Sequence, residues 1–264
     1  MAKTQTHVIR ALRRGLQVLE AVNDHNGALV SEIAQATGLP RTTTFRLLEN
    51  LRQAGFVDRS PRNAGYFVTI RTLHLSHAFA ADAWITDTVQ PVLEALSRRL
   101  LWPIYALTLF GTSMLIRATT TYASPLAIDA LPPGTLVPLL TSGAGKVQLA
   151  FCSEEERRAL LTILRTSTDP THAPARSTAE FEQTLAQVRR QGYALDVKAR
   201  TKRNPGRTTS IAVPVLVGRR SHAALSLRYS DAAMPVERAV KRFVPILRKA
   251  AREISAGLSR RPPT

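Results

Sequence analysis

Residues 31–54, SEIAQATGLPRTTTFRLLENLRQA, constrain this chain more than any other stretch. They read as two short helices joined by a tight turn. Ser31 suits the N-cap of the first helix, where its hydroxyl can accept from a free backbone N–H. Ile33, Ala34 and Ala36 supply that helix's packing side. Gly38 is placed to stop it, since glycine takes a positive φ at least cost. Pro40 then opens the second helix, where a missing N–H loses no partner. In that helix Phe45, Leu47, Leu48 and Leu51 recur at helical spacing as an apolar stripe, and Arg41, Thr42, Thr43, Arg46 and Asn50 lie away from it. A short helix, a glycine turn and a second helix exposing Arg and Thr near its start is the layout of a helix-turn-helix, with the second helix in a DNA major groove.

Two amphipathic helices and a glycine also occur as plain packing in α-rich proteins, so the flanking residues matter. Residues 55–59, GFVDR, read as a strand leaving the helix, and 66–69, YFVT, as its return partner. Between them SPRNAG carries turn residues and positive charge. A hairpin directly after the second helix is a wing, from which Arg59 and Arg62 can reach phosphate or the minor groove. The alternative for those arginines is a solvated loop.

A chain of 264 residues holds one large or two modest domains. The formal net charge of +17 favours a polyanionic partner, most often nucleic acid. The charge is spread, however: residues 1–80 carry 10 Lys/Arg against 5 Asp/Glu, a net of +5, and the remainder supplies +12. Cys152 is the single cysteine, so no disulfide forms within the chain. The first 14 residues are polar and basic and lack a signal-peptide core, and no apolar run reaches bilayer length. A soluble, cytoplasmic protein without membrane contact is expected.

Along the chain, residues 1–7 read as a loose arm. Residues 9–23 form an amphipathic helix with Ile9, Leu12, Leu16, Leu19 and Val22 on its packing side. The first domain then spans 8–70. Connector helices over 71–83 and 86–101 follow, the second bent or restarted at Pro91, and their apolar residues are expected to pack against a partner subunit. From 102 to 260 strands at 104–109, 114–118, 194–197, 210–216 and 223–229 mix with helices at 143–151, 154–164, 178–191 and 236–258, without a regular βαβ repeat. The fold class is therefore α+β, with a mostly antiparallel sheet in the second domain. The tail at 260–264 reads as disordered.

Chemistry is sparse. Ser142-Gly143-Ala144-Gly145-Lys146 invites a phosphate-loop reading, but Leu140 stands where that pattern needs glycine and Val147 where it needs Ser or Thr. A glycine-rich turn opening a helix still aims bare N–H groups outward, and these can hold a carboxylate. His74 and His77 lack the neighbours of a metal site. Cys152 has no evident His partner and reads as a small apolar group. Without a nucleophile elbow, an enzyme is disfavoured, and no cofactor or metal is expected.

The residues carry a family resemblance. Arg14-Gly15-Leu16-Gln17-Val18-Leu19, Thr37-Gly38-Leu39-Pro40, Arg46-Leu47-Leu48 and Gly55-Phe56-Val57, then Pro138-Leu139-Leu140-Thr141-Ser142-Gly143-Ala144-Gly145-Lys146, Arg190-Gln191-Gly192-Tyr193 and Ile211-Ala212-Val213-Pro214, resemble in this order the IclR family of bacterial transcriptional regulators. Further pieces, among them Arg41-Thr42-Thr43, Arg59-Ser60-Pro61, Trp84-Ile85 and Trp102-Pro103, look closest to the family's activator of 3-(3-hydroxyphenyl)propionate degradation. The resemblance implies a winged helix-turn-helix, a GAF-like effector domain, and dimers or dimers of dimers on palindromic operator DNA. It implies a small aromatic or phenolic carboxylic acid as effector. It also implies an effector cleft between the sheet and the loop before Gly143. Leu126, Ile128 and Val137 match its apolar wall, Gly143 and Ala144 its backbone donors, and Asp196, Ser210, Ser226 and Arg228 its polar contacts. Arg228 departs from the family, some members of which have Ser there. It either points inward, where it would grip a carboxylate, or faces solvent on an edge strand. An enzyme acting on an aromatic acid and a nonspecific architectural DNA protein remain the alternatives.

Overall fold

The computed structural model describes residues 9–198 and 206–260, and divides into two units, Met1–Ala80 and Ala81–Thr264. The arm at 1–7 and the tail beyond Arg260 lie outside the described residues. In the first unit α1 (Arg10–Asp24), α2 (Val30–Thr37) and α3 (Arg41–Gln53) are followed by the hairpin of β1 (Val57–Arg59) and β2 (Tyr66–Val68). Val18, Val22, Ile33, Leu48, Val57 and Tyr66 close one small core, so every element contributes at least one buried side chain. Gly38 caps α2 in the left-handed region at φ +67°, as its position predicts.

Three local expectations change. α2 starts one residue before Ser31, and its first turn is capped from within: the Leu29 N–H donates to Glu32 Oε2 at 2.8 Å. The stripe of α3 is rotated. Thr44 and Leu48 are buried, while Phe45 is exposed. Thr44 tolerates that burial because its hydroxyl donates to the Pro40 carbonyl at 3.1 Å. Ile9 at the N-cap of α1 and Leu12 and Leu16 on it are exposed, and Val18, Ala21 and Val22 form the packing side.

The connector is also not two long helices. α4 covers only Arg71–His74, and Ile70, Leu73, Leu75 and Phe79 are exposed. The second stretch is helical, with a π turn at Ile85–Val89 leading into α5 (Gln90–Leu100). Pro91 has no N–H to give to an i−4 carbonyl, and the looser turn sits directly before it. Ile85, Val89, Val92, Leu93 and Leu100 pack into the second unit's own core instead of waiting for a partner.

That unit is built on one six-stranded antiparallel sheet. The strands are β3 (Ile104–Phe110), β4 (Ser113–Thr119), β5 (Leu136–Pro138), β6 (Ala194–Lys198), β7 (Thr208–Val217) and β8 (Arg220–Ser230), in the order β5-β4-β3-β8-β7-β6. Strand alternation gives the sheet two faces. Ile104, Ala106, Ile211, Val213, Leu225, Leu227 and Tyr229 pack with α5 and the long α9 (Val236–Ser259). Tyr105, Leu107, Ala194, Ala212 and Ala224 turn the other way, toward α6 (Gly143–Phe151), α7 (Glu154–Arg165) and α8 (Thr178–Gln191). The short β5 and a 3₁₀ turn at Pro170–Ala175 are additions to the sequence reading.

Candidate functional site

Each unit presents one candidate site. In the first, α3 turns Arg41, Thr42, Arg46 and Asn50 outward, and half-buries Thr43. Asn50 returns its Nδ2–H to the Arg46 carbonyl at 2.7 Å. The wing is tied to α3 through Glu49. Arg52 donates to Glu49 Oε2 from Nε and Nη2 at 3.1 and 2.9 Å, and the Tyr66 hydroxyl donates to Glu49 Oε1 at 3.1 Å. The Arg52 bonds, followed by that of Tyr66, hold the Glu49 carboxyl below the usual carboxylate range.

The two wing arginines differ. Arg62 is exposed at the tip, where its backbone N–H donates to Ser60 Oγ at 3.3 Å. Arg59 folds back, with its Nε donating to the Ala64 carbonyl at 3.3 Å and its guanidinium 5.8 Å from the Tyr66 ring centre. The tip depends on Gly65, since a Cβ there would stand 2.1 Å from the Gly27 carbonyl oxygen. Surface cations on an exposed helix edge beside a wing suit a phosphate backbone and a major groove.

In the second unit, strand register assembles the other site. Asp196 pairs with Ser210, and Ser210 with Arg228. One step along, Ala212 pairs with Ser226, and Ser226 with Tyr105. Above these rows Ser142 caps α6, its Oγ accepting from the Gly145 N–H at 3.0 Å. Gly145 is obligatory here, because a Cβ would lie 1.9 Å from the Leu139 carbonyl oxygen. The N–H groups of Gly143 and Ala144 begin the helix, where no intrahelical acceptor exists.

A cavity of about 40 Å³ is lined by Tyr105, Leu107, Ile116, Leu131, Val137, Ser142, Gly143, Ala144, Asp196, Ser210, Ser226 and Arg228. It brings together seven of the expected cleft residues. Leu126 and Ile128 are not among them: Leu126 is exposed, and Ile128 packs against the opposite, α9-side core. A larger hollow of about 430 Å³ between α6 and α8 is lined by the half-buried Lys146, whose Nζ donates to the Leu195 carbonyl at 3.2 Å, and one of about 500 Å³ beside α5 is lined by the exposed Glu94 and Arg98.

Arg228 points inward. It is 6% exposed, its Nη1 lies 3.0 Å from Asp129 Oδ2, and its Nη2 donates to Thr208 Oγ1 at 3.0 Å. Its Nε, Asp129 Oδ1 and the Tyr105 hydroxyl are buried without hydrogen-bond partners. Thr121 lies beside Tyr105, but its hydroxyl donates to the Asp129 carbonyl at 3.0 Å. Burial, and then the Asp129 charge, push the Tyr105 phenol up, against the pull of Thr121 and Arg228. Each buried orphan costs about 1–3 kcal/mol; two of them, on Arg228 and Tyr105, line the cavity, and the third belongs to the aspartate paired with Arg228. Asp129 and Tyr105 escape the sequence reading. Tyr105 shares the parity of Leu107, which is a detectable signal, whereas nothing local in residues 120–135 shows that Asp129 turns back onto the sheet.

A winged helix-turn-helix in one unit and a buried, polar cleft in the other define a DNA-binding transcriptional regulator with an effector-binding domain. Two family models match: the IclR helix-turn-helix domain over residues 11–61 and the bacterial transcriptional regulator IclR C-terminal domain over residues 77–256. The chain belongs to the IclR family. It is 30% identical over 193 residues to the transcriptional repressor IclR of Escherichia coli, covering 72% of this chain and 70% of that protein. In fold it matches an IclR-family regulator from Brucella abortus (TM-score 0.64, 23% identity, 96% of this chain and 94% of that one). It also matches an IclR homolog from Microbacterium hydrocarbonoxydans complexed with 4-hydroxybenzoate (TM-score 0.58, 23% identity, 94% and 99%). Among the described residues no helix is long and apolar enough to cross a membrane, and no cluster of metal-ligating side chains occurs.

Proposed function

We propose that this regulator is cytoplasmic, binds operator DNA as a homodimer or a dimer of dimers, and responds to a small aromatic carboxylic acid, controlling genes for aromatic-compound breakdown. In this reading the protein resembles the activator of 3-(3-hydroxyphenyl)propionate degradation in its ligand class. Arg41, Thr42, Thr43, Arg46 and Asn50 read the major groove, and Arg59 and Arg62 steady the wing on the flanking backbone. The exposed apolar residues of 9–16 and 70–79 supply surface for pairing two subunits. The cleft takes the acid: Gly143 and Ala144 N–H and Arg228 meet the carboxylate, Asp196, Ser210 and Ser226 offer polar contacts, and Leu107, Ile116 and Val137 receive the ring. Leu126 and Ile128 do not line the closed cleft.

The inward Arg228 beside a helix N-terminus carries this reading, since both favour an anion. A family structure holding 4-hydroxybenzoate is compatible with it. The fold relatives are transcriptional regulators, and the cleft serves binding in place of turnover. The test is fluorescence anisotropy with the DNA upstream of the protein's own gene against random duplex at fixed salt, repeated with a panel of aromatic acids. A strong preference for the upstream fragment, altered by an acid that is recovered unchanged, is expected. Equal affinity for both DNAs, or consumption of the acid, overturns it.

A further inference from the structure

The cleft as it stands has no room for an aromatic ring. Its volume is about 40 Å³, whereas a cavity that holds benzene measures about 150 Å³. Something lining it must withdraw. The helix start is fixed by Gly145 packed on Leu139, and the floor by paired strands. What remains is the middle of residues 120–135, which join β4 to the three-residue edge strand β5; Thr120, Gly134 and Thr135 are bonded to the sheet, and between them the segment carries Leu131 over the cavity and Asp129 onto Arg228.

The Arg228–Asp129 pair is poorly matched. An arginine and an untethered carboxylate frequently pair through two parallel bonds. Here the two meet in a single ion contact, Nη1 to Oδ2 at 3.0 Å, while Nε and Oδ1 stay buried and unpartnered on the same two side chains. Asp129 is tethered by its segment, whose Thr121 hydroxyl holds its carbonyl, and it does not complete the fork. The partners also differ in where they can go. Asp129's side chain is 35% exposed and borders water, whereas that of Arg228 is 7% exposed. If the pair parts, the aspartate is solvated readily and the arginine is left needing an anion.

We propose that Asp129 is a built-in competitor of the effector: its carboxylate occupies Arg228 until a ligand carboxylate takes its place, and the exchange frees residues 120–135 to open the cleft. This rests on the reading of the cleft as the effector site and adds its selectivity. A carboxylate for a carboxylate leaves the buried arginine compensated throughout. A neutral isostere has nothing to exchange and leaves Asp129 in place, so the site selects anions by substitution and not by shape alone. The small shift in segment 120–135 then has a differential contact behind it, which an effector needs if it is to move an equilibrium.

The experiment uses the full chain as wild type, Asp129→Asn and the double variant Asp129→Asn/Arg228→Met. Calorimetric titrations use benzoate, benzamide and pyruvate, with hydrogen exchange followed over residues 120–135. With the competitor removed, Asp129→Asn binds benzoate at least about tenfold tighter than wild type. It gains nothing for benzamide, and the double variant loses the gain. In wild type, benzoate raises exchange in 120–135. Should Asp129→Asn be unstable alone, recovery of its melting temperature by benzoate and not by benzamide supports the proposal equally. A gain for pyruvate without benzoate binding sustains the exchange and refutes the aromatic ligand class. Benzoate affinity that is equal or weaker in Asp129→Asn, an equal gain for benzamide, or no binding of any probe to either protein overturns the exchange.

Discussion

Replacing Gly145 by alanine sets two effects against each other, and the structure decides between them. Gly145 lies inside the first turn of α6, so helix propensity favours alanine by about 0.5–1 kcal/mol. The new Cβ would stand 1.9 Å from the Leu139 carbonyl oxygen, 2.5 Å from its carbonyl carbon and 2.7 Å from its Cα. These are backbone atoms, so no side-chain rotation relieves the overlap. Separating the α6 start from Leu139, which is itself fully buried, costs at least the about 1–3 kcal/mol typical of overpacking. Adding the Ser142 cap that the shift disturbs, worth about 1 kcal/mol, and subtracting the propensity gain, gives a net loss of about 1–3.5 kcal/mol. Both tryptophans, Trp84 and Trp102, belong to the second unit, so their fluorescence reports that unit's urea transition. With a slope of about 2–3 kcal/mol/M, the midpoint falls by about 1 M. Gly15 is the control: nothing lies within 4 Å of its Cβ position in α1, and Gly15→Ala stabilises the first unit by about 0.5–1 kcal/mol, followed by far-ultraviolet circular dichroism. A Gly145→Ala midpoint at or above wild type would refute the reasoning.

Two further outcomes follow from the environments of single groups. Burial pushes the Cys152 thiol up to about 11 from 9.0, so about one thiol in a thousand is thiolate at pH 8, against about one in ten otherwise. Iodoacetamide labelling of the folded protein is therefore about a hundredfold slower than of the urea-unfolded chain, and comparable rates would contradict the burial. The lowered Glu49 carboxyl stabilises the wing fully above its ordinary value of 4.5, and that stability is lost as pH falls through the lowered value. Melting of Glu49→Gln between about pH 6 and 3 should lack this step, and a wild-type-like profile would show that the tie is idle.

Much of the fold was legible because local chemistry and burial agree. Gly38, Ser142 and Gly192 end or start helices where their backbone chemistry requires it, and Leu225, Leu227 and Tyr229 alternate with Ser226 and Arg228 across one strand. The apolar faces differ from expectation for one reason. Periodicity finds an apolar stripe but does not say whether it meets the chain's own core. Ile9, Leu12 and Leu16 share a helical face and are exposed, while Val89 and Leu93, expected to meet a partner subunit, are buried in the chain's own core. The cleft was legible as far as register carries: Asp196, Ser210 and Arg228 fall in one row across three strands. Asp129 was not, because a loop residue's position over a sheet is set by tertiary closure and leaves no mark in spacing. Leu126 and Ile128, placed by resemblance in that same loop, do not line the cavity.

The central claim is that α3 meets DNA while a separate chamber in the second unit meets an anion, and crossing two variants tests it most directly. Operator binding by fluorescence anisotropy and benzoate binding by calorimetry are measured for Arg46→Ala and for Arg228→Met. The account predicts that Arg46→Ala loses about 1–3 kcal/mol of operator affinity and retains the acid, while Arg228→Met loses the acid and retains operator binding. A variant that weakens both alike, or an Arg46→Ala protein that grips its operator as tightly as wild type, would contradict it.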